Sequence, residues 1–121
     1  MIELKSIDHI CLWVRSLKIS KEYYEKLFSV DCFPREEDDK TLVVESKLVH
    51  FFISESNEDE SFLKKQHLSF EVEHLASVTK HLTKLEIDYS VGEVGFFKNR
   101  NYKWCEWRDP DGIRLECIET M

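Results

Sequence analysis

The pattern of hydrophobic residues in the segment IDHICLWV, which runs from Ile7 to Val14, predicts a β-strand, because the segment is rich in β-branched and aromatic residues and short enough for one strand. Successive side chains of a strand point to opposite faces. The apolar face consists of Ile10, Leu12 and Val14, and the other face carries His9, Cys11 and Trp13. We therefore expect one face to be buried and the other to present polar and aromatic groups.

A helix is predicted directly after this strand, in the segment LKISKEYYEKLF. Ser16 is a suitable N-cap, because its side chain can accept a hydrogen bond from a backbone N–H of the first turn. The apolar residues recur at helical spacing on one stripe, formed by Leu17, Tyr24, Leu27 and Phe28. Beyond the helix, SVDCFPREEDDK predicts a loop or a weak edge strand, because Pro34 and a run of charges interrupt it.

Two further features complete the first half of the chain. The segment TLVVESKLVHFF predicts a β-hairpin that turns near Ser46 and Lys47. The segment SESNEDES is acidic and polar, and it predicts a solvated linker.

A second strand and helix begin at His67. The strand alternates between an apolar face, with Leu68, Phe70 and Val72, and a polar face, with His67, Ser69 and Glu71. The helix that follows places four leucine and valine residues at helical spacing, and with the apolar strand face they should form the core of this half: Leu75, Val78, Leu82 and Leu85. IDYSVGEVGFF predicts another strand, and NYKWCEWRDPDGIRLECIE predicts a hairpin around the turn Asp109-Pro110-Asp111-Gly112.

The order strand, helix, strands thus occurs twice in the chain, at an offset of 58 residues. At this offset His9 matches His67 and Leu17 matches Leu75. The ends of the two halves correspond as well, since VHFFI closes the first hairpin and LECIE closes the second. This correspondence places His50 and Glu116 at equivalent points.

Composition excludes several classes of partner. The net charge of −7 argues against nonspecific nucleic-acid binding, and no segment approaches the roughly 18 apolar residues of a membrane span. The N-terminal segment MIELKSIDH lacks a signal-peptide core, so we expect a cytoplasmic protein. No CxxC pair occurs, and Cys32, Cys105 and Cys117 are expected to be free, buried thiols.

Two histidines and a carboxylate fall on the polar faces of predicted strands. His9 and His67 open the first strand of each half, and Glu116 lies on the last strand, on the face shared by Arg114 and Ile118. If the halves pack as a pseudo-symmetric pair, the two histidines converge. Two imidazoles and one carboxylate with open positions for substrate form a known divalent-metal arrangement, which we favour over purely structural histidines.

The chain resembles the vicinal-oxygen-chelate superfamily, which contains glyoxalase I, fosfomycin-resistance thiol transferases, extradiol dioxygenases, methylmalonyl-CoA epimerase and bleomycin-binding proteins. The resemblance covers nearly the whole chain and is carried by DHICLWVRSLKISKEYYEKLF, HLSFEVEHL and WRDPDGIRLECIE. It implies an α+β fold of two paired βαβββ modules that form a concave mixed sheet with the helices outside. The modules would span about residues 1–54 and 67–121 of a single domain, with an acidic linker over about 55–66.

The resemblance also implies a site. One divalent ion per site (Zn, Ni, Mn or Fe) would be held by His9, His67 and Glu116, with His50 near a fourth position as a ligand or as a pocket residue. Cys11 either acts near the metal or leaves room beside it. The expected pocket residues are Cys11, Trp13, Phe52, Ser69, Trp104 and Arg114. Small members of the superfamily imply a homodimer with shared sites, in which His9 comes from one chain and His67 with Glu116 from the other.

The expected activity is that of a small metal-dependent enzyme of the glyoxalase type, a lyase or isomerase that acts on a small oxygen-chelating substrate. Glu71 or Glu106 could serve as the catalytic base. The basic and aromatic segment of residues 96–103 suits an anionic substrate. The alternatives are a thiol transferase of the fosfomycin-resistance type, a small ring-cleaving dioxygenase and a metal-free small-molecule binding protein, the last disfavoured by the intact ligand set.

Overall fold

The computed structural model describes residues 1–97 and 100–121, with residues 96 and 97 described through their backbone alone. The chain divides into two compact units, Met1–Asp59 and Glu60–Met121. The first unit contains, in chain order, β1 (Cys11–Val14), α1 (Leu17–Leu27), β2 (Asp31–Arg35), β3 (Asp38–Glu45) and β4 (His50–Glu55). The second unit contains α2 (Glu60–Leu63), β5 (His67–Glu71), α3 (Leu75–Lys84), β6 (Ser90–Phe97), β7 (Arg100–Arg108) and β8 (Arg114–Thr120).

The sheet of the first unit has the strand order β1-β4-β3-β2, in which β1 runs parallel to β4 and the other pairs are antiparallel. The predicted alternation is confirmed in β1, where Leu12 and Val14 are buried while Cys11 and Trp13 are exposed. The strand begins at Cys11 rather than at Ile7, because the ladder with β4 starts at the pair Cys11–Phe52.

Helix α1 covers the apolar face of this sheet and packs against β2, β3 and β4. The Ser16 hydroxyl caps it as predicted, accepting a hydrogen bond from the backbone N–H of Ile19 at 3.3 Å. Tyr24 is fully buried, and its ring contacts the rings of Phe28 and Phe51. The opposite face of the sheet, which carries His50 and Phe52, points away from α1.

The remaining local predictions for the first unit are confirmed. β2 pairs only with β3 and carries Pro34, as expected for an edge strand. β3 and β4 form the predicted hairpin, whose turn is closed by a hydrogen bond from Ser46 N–H to the Val49 carbonyl at 2.8 Å.

The sheet of the second unit has the corresponding order β5-β8-β7-β6, with β5 parallel to β8. Helix α3 packs against β7 and β8. The short helix α2 lies in the segment expected to be a linker, and its Leu63 is fully buried. The predicted turn between β7 and β8 is confirmed: the Asp109 carboxylate accepts hydrogen bonds from the N–H groups of Asp111 and Ile113, and Gly112 adopts a φ of 80°.

Each unit thus has the βαβββ order, and the expected α+β fold with helices outside the sheets is confirmed. No helix in the described part of the chain is long and apolar enough to cross a bilayer. The pairing of the two modules in one concave sheet and the domain boundaries stay predictions.

The core of the second unit lies mainly on β7 and β8 rather than on β5 and α3. Its fully buried side chains include Leu63, Leu82, Cys105, Ile113, Leu115 and Cys117. Of the seven predicted core residues only Leu75 and Leu82 are buried, whereas five are half-buried: Leu68, Phe70, Val72, Val78 and Leu85. For Leu68 and Phe70 the reason is that β5 is an edge strand, so its side chains have a neighbouring strand on one side only.

Three of the four cysteines are buried free thiols, as predicted, and Cys11 is exposed. Desolvation by burial raises the pKa of Cys117 from 9.0 to about 12, and those of Cys32 and Cys105 to about 11. The folded state therefore keeps these thiols neutral at pH values where the unfolded chain releases their protons.

This difference predicts a loss of stability at alkaline pH. A pKa raised in the folded state gives a stabilisation that is complete below pH 9 and declines as the pH rises towards 12. We expect Cys117 alone to cost about 1 kcal/mol of unfolding free energy between pH 8 and pH 10. Urea melts at both pH values measure this loss, and the Cys117→Ala variant is the control, because its loss over the same interval should be smaller by that amount. Equal pH dependence of the two proteins would contradict the prediction.

Candidate functional site

Two histidines and an aspartate meet at the start of β1 and β4 in the first unit. The Asp8 carboxylate oxygen Oδ2 lies 2.7 Å from His9 Nδ1 and 3.5 Å from His50 Nε2. The two imidazole rings lie 5.9 Å apart, edge to face. The hydrogen bond to His9 holds the pKa of Asp8 below its usual value, so that its carboxylate stays charged beside both imidazoles.

An aromatic ring supports these histidines from the open face of the sheet. The Phe52 ring is 4.5 Å from the ring of His9 and 6.3 Å from that of His50. The Arg35 guanidinium lies 5.7 Å from the centroid of the Phe52 ring and also forms a 2.9 Å ion pair with Asp38. A guanidinium held against an aromatic face can bind an anionic group of a ligand in addition to the Asp38 carboxylate.

The side chains deeper on the same face form a chain of hydrogen bonds. Thr41 donates its single hydroxyl proton to Asp38 at 2.8 Å, so Ser54 donates to Thr41, also at 2.8 Å. The Cys11 thiol in turn donates to Ser54 at 3.3 Å. Cys11 is thereby held as a hydrogen-bond donor at the edge of the face, beside Trp13, which is exposed.

The second unit brings His67 and Glu116 together. They lie on the adjacent parallel strands β5 and β8, and His67 Nε2 is 3.2 Å from Glu116 Oε1. Glu116 is buried, with only 9% of the residue exposed, whereas His67 is exposed. A buried carboxylate needs a hydrogen-bonding or charged partner, and the His67 imidazole supplies one.

The two candidate bases, Glu71 and Glu106, have different interaction partners. Glu106 forms a 2.8 Å ion pair with Arg114, while the exposed Glu71 accepts a hydrogen bond from the Thr120 hydroxyl at 3.2 Å. Glu106 also lines a groove of about 360 Å³ at the ends of β6 and β7. Of the two, Glu71 is therefore the carboxylate that is not neutralised by a described cation.

The remaining predicted pocket residues of the second unit share this face. Ser69 pairs with Glu116, and Trp104 pairs with Ile118 on the neighbouring strand. The Trp104 indole lies across Gly92, where a Cβ atom would collide with the ring. Only glycine fits at that position without displacing the indole.

The strand registers correct the equivalence of His50 with Glu116. Cys11 pairs with Phe52 in the first unit, and the corresponding residue Ser69 pairs with Glu116 in the second. The counterpart of Glu116 is therefore Phe52, and His50 corresponds to Arg114. Matching the apolar residues of the hairpin ends places His50 opposite Glu116, two residues from the true register, because a shift of two residues preserves the alternation between faces.

Sequence reasoning missed Asp8 and Arg35. Asp8 was assigned to a strand, where it would point away from His9, but the ladder starts only at Cys11, so consecutive side chains can meet. The adjacency of Asp8 and His9 in the sequence was the available signal. Arg35 carried no signal, because its position over Phe52 depends on the register of β2, which shifts between Pro34 and Arg35.

The spacing of these donor atoms suits a divalent ion. Ligand atoms that bind one ion at about 2.0–2.2 Å lie roughly 2.8–3.5 Å from one another. The separation of His67 Nε2 and Glu116 Oε1 falls in this range, as does that of Asp8 Oδ2 and His50 Nε2. Both atoms of each pair belong to the same unit.

Lys98, part of the predicted basic segment, lies outside the described residues, as do the side chains of Phe96 and Phe97.

Several solved structures share this fold. A virulence protein from Salmonella typhimurium is 16% identical, with a TM-score of 0.81, over 99% of this chain and 100% of the other. A glyoxylase/bleomycin resistance protein/dioxygenase domain from Frankia is 23% identical, with a TM-score of 0.74, over 98% and 100%. The fosfomycin resistance protein FosX from Listeria monocytogenes, solved with Mn(II) and a sulfate ion, is 14% identical, with a TM-score of 0.71, over 98% and 93%.

At the level of sequence, no protein family and no curated protein matches the chain. The structural similarity nevertheless extends over almost the whole length of each relative. The chain therefore has the fold of the vicinal-oxygen-chelate superfamily, as its sequence resemblance predicted.

Proposed function

We propose that this protein is a small divalent-metal-dependent enzyme of the glyoxalase type, a lyase or isomerase acting on a small substrate with two neighbouring oxygens. The observation that carries the proposal is the pair His67–Glu116, whose donor atoms lie 3.2 Å apart on adjacent strands of a superfamily fold. His9, at the repeat-equivalent position of the first unit, completes a two-histidine, one-carboxylate ligand set. When bound, the ion would supply Lewis-acid stabilisation of negative charge on a substrate oxygen.

In this proposal the chain's own residues position the substrate and move its proton. Glu71 is the base, because Glu106 is neutralised by Arg114 and would abstract a proton less readily. Arg35 provides a cation for an acidic substrate group, in keeping with the anionic substrate that the basic segment suggests. Phe52, at the position equivalent to Glu116, is a pocket wall rather than a fourth ligand.

Turnover tests distinguish the reaction types. We expect activity on hemithioacetals, lost on addition of a chelator and restored by a divalent ion. Fosfomycin and catechols belong in the same panel, since FosX is among the similar structures and the ligand set also suits Fe(II). Turnover of fosfomycin or of a catechol alone would replace the lyase or isomerase proposal. A protein that holds no metal and turns over none of these substrates would favour the metal-free binding protein.

We further propose that the site is shared across a two-fold homodimer, with His9 from one chain and His67 with Glu116 from the other. A symmetric dimer generates two such sites. Mixing a His9→Ala chain with a Glu116→Ala chain should then restore tight binding of about one ion per mixed dimer, because one of its two sites is intact. Mixed dimers without restored binding, or a native monomer with full occupancy, would contradict the shared site.

A further inference from the structure

The cluster of Asp8, His9 and His50 forms a more complete donor set than the pair in the second unit. In the described part of the chain, it is the one group of three or more potential ligands whose donor atoms all lie within 4.8 Å of one another. Phe52 packs against both imidazoles, and the backbone N–H of Phe52 donates to the Ile10 carbonyl at 2.9 Å, which anchors the segment that carries Asp8 and His9.

We propose that Asp8, His9 and His50 form a second divalent-cation site, contained in the first unit and distinct in its ligands from the set proposed above. It takes a transition-metal ion of the Zn, Co, Ni or Cu type, because two imidazole nitrogens and one carboxylate oxygen suit these ions. Hard cations such as Mg²⁺ and Ca²⁺, which prefer oxygen ligands, should bind poorly.

The geometry supports one ion between the three side chains. The Asp8 oxygen Oδ2 lies between two ring nitrogens, at 2.7 Å from His9 and 3.5 Å from His50. The separation from His50 lies within the range for neighbouring ligand atoms on one ion, whereas that from His9 is a hydrogen-bond distance, which would lengthen slightly as the ion replaces the proton. Asp8 and His9 are exposed and His50 is half-buried, which leaves access for the ion and room for water to complete its coordination.

The new site does not rest on the proposed function, although both use His9. A single His9 imidazole cannot serve both ligand sets in full at the same time, so the two sites are alternatives for one ion. The set with His67 and the buried Glu116 is expected to be the tighter one, since burial excludes competing water from a charged ligand. Metal binding at the Asp8 site should therefore become measurable when His67 and Glu116 are both replaced.

Cobalt(II) titration of a His67→Gln/Glu116→Gln double variant is the test, monitored by visible absorption and by calorimetry. We expect this variant to bind one Co(II), and the further change Asp8→Asn or His50→Gln to weaken that binding at least about tenfold. Circular dichroism melts control for folding, and Mg²⁺ in place of Co(II) should give no binding. A double variant that binds no more Co(II) than a His9→Gln/His67→Gln/Glu116→Gln triple variant would overturn the proposal.

A second measurement uses the same double variant, in which the tighter ligand set is absent. Substoichiometric Cu(II), a paramagnetic ion, should broaden the ring signals of His9 and His50 in NMR spectra of an apo sample, and Asp8→Asn should reduce this broadening at the same Cu(II) concentration. No broadening of the two rings in the double variant would overturn the Asp8 site and leave the ligand set of the proposed function intact. Equal metal affinity of the wild type and the double variant would instead contradict the ligand set of the proposed function and support the Asp8 site.

Discussion

Replacement of Glu116 by glutamine should lower the affinity for a divalent ion at least about 100-fold and abolish metal-dependent turnover. The substitution keeps the size of the side chain and one oxygen, but removes the charge that lies 3.2 Å from His67 Nε2. The amide can still hydrogen-bond the imidazole, so we expect the free energy of unfolding to change by less than about 1 kcal/mol. Calorimetric titration with Zn²⁺ or Ni²⁺, together with urea melts, measures both quantities.

Glu106→Gln is the matched control for this variant. Glu106 pairs with Glu116 across the antiparallel ladder of β7 and β8, but it forms an ion pair with Arg114 instead of contacting His67. Its replacement should change the metal affinity by less than about tenfold. Equal losses in the two variants would mean that general charge on this face, rather than ligation by Glu116, controls the binding.

Leu115→Ala should be the most destabilising of the predicted variants. Leu115 is the residue before Glu116 and points to the opposite face of β8, where it is fully buried beneath α3 and between neighbouring strands. Its truncation leaves a cavity in the core of the second unit and should cost about 2–5 kcal/mol of unfolding free energy. Metal affinity, measured where the variant is still folded, should remain within about threefold of the wild type, because the ligand face is unchanged.

Phe70→Ala provides the comparison within the same sheet. Phe70 is larger than Leu115 but only half-buried on the edge strand β5, so we expect a cost of about 1–2 kcal/mol. Denaturant melts that rank Phe70 above Leu115 would show that β5 and α3, and not β7 and β8, hold the core.

Leu115 and Glu116, which are neighbours in the sequence but lie on opposite faces of β8, also show what could be predicted from the sequence. Alternation along β1 predicted which residues face the core, and in β8 it placed Leu115 and Cys117 on one face, although Glu116 and Ile118 are buried as well. Capping by Ser16 and the turn at Asp109 were predicted because their chemistry is local. The repeat of His9 and His67 indicated two similar modules, and the resemblance to a known superfamily supplied their βαβββ fold.

The parts that could not be predicted depend on register and on the reach of side chains. A shift of two residues preserves the alternation, so apolar patterning could not decide whether His50 or Phe52 corresponds to Glu116. Asp8 meets His9 and His50 because the strand starts late, at Cys11, and periodicity places strand ends poorly. Phe70 is half-buried because β5 is an edge strand. Local periodicity does not predict the order of the strands in a sheet.

The most direct test of the central claim is the metal content of protein purified without chelators and then equilibrated against a limiting supply of divalent ion, compared with that of the Glu116→Gln variant. The proposed ligation by His9, His67 and Glu116 predicts about one tightly held ion per chain in the wild type, and less than about a tenth of that in the variant. A wild-type protein with no ion above background, or equal metal content in the two proteins, would contradict it.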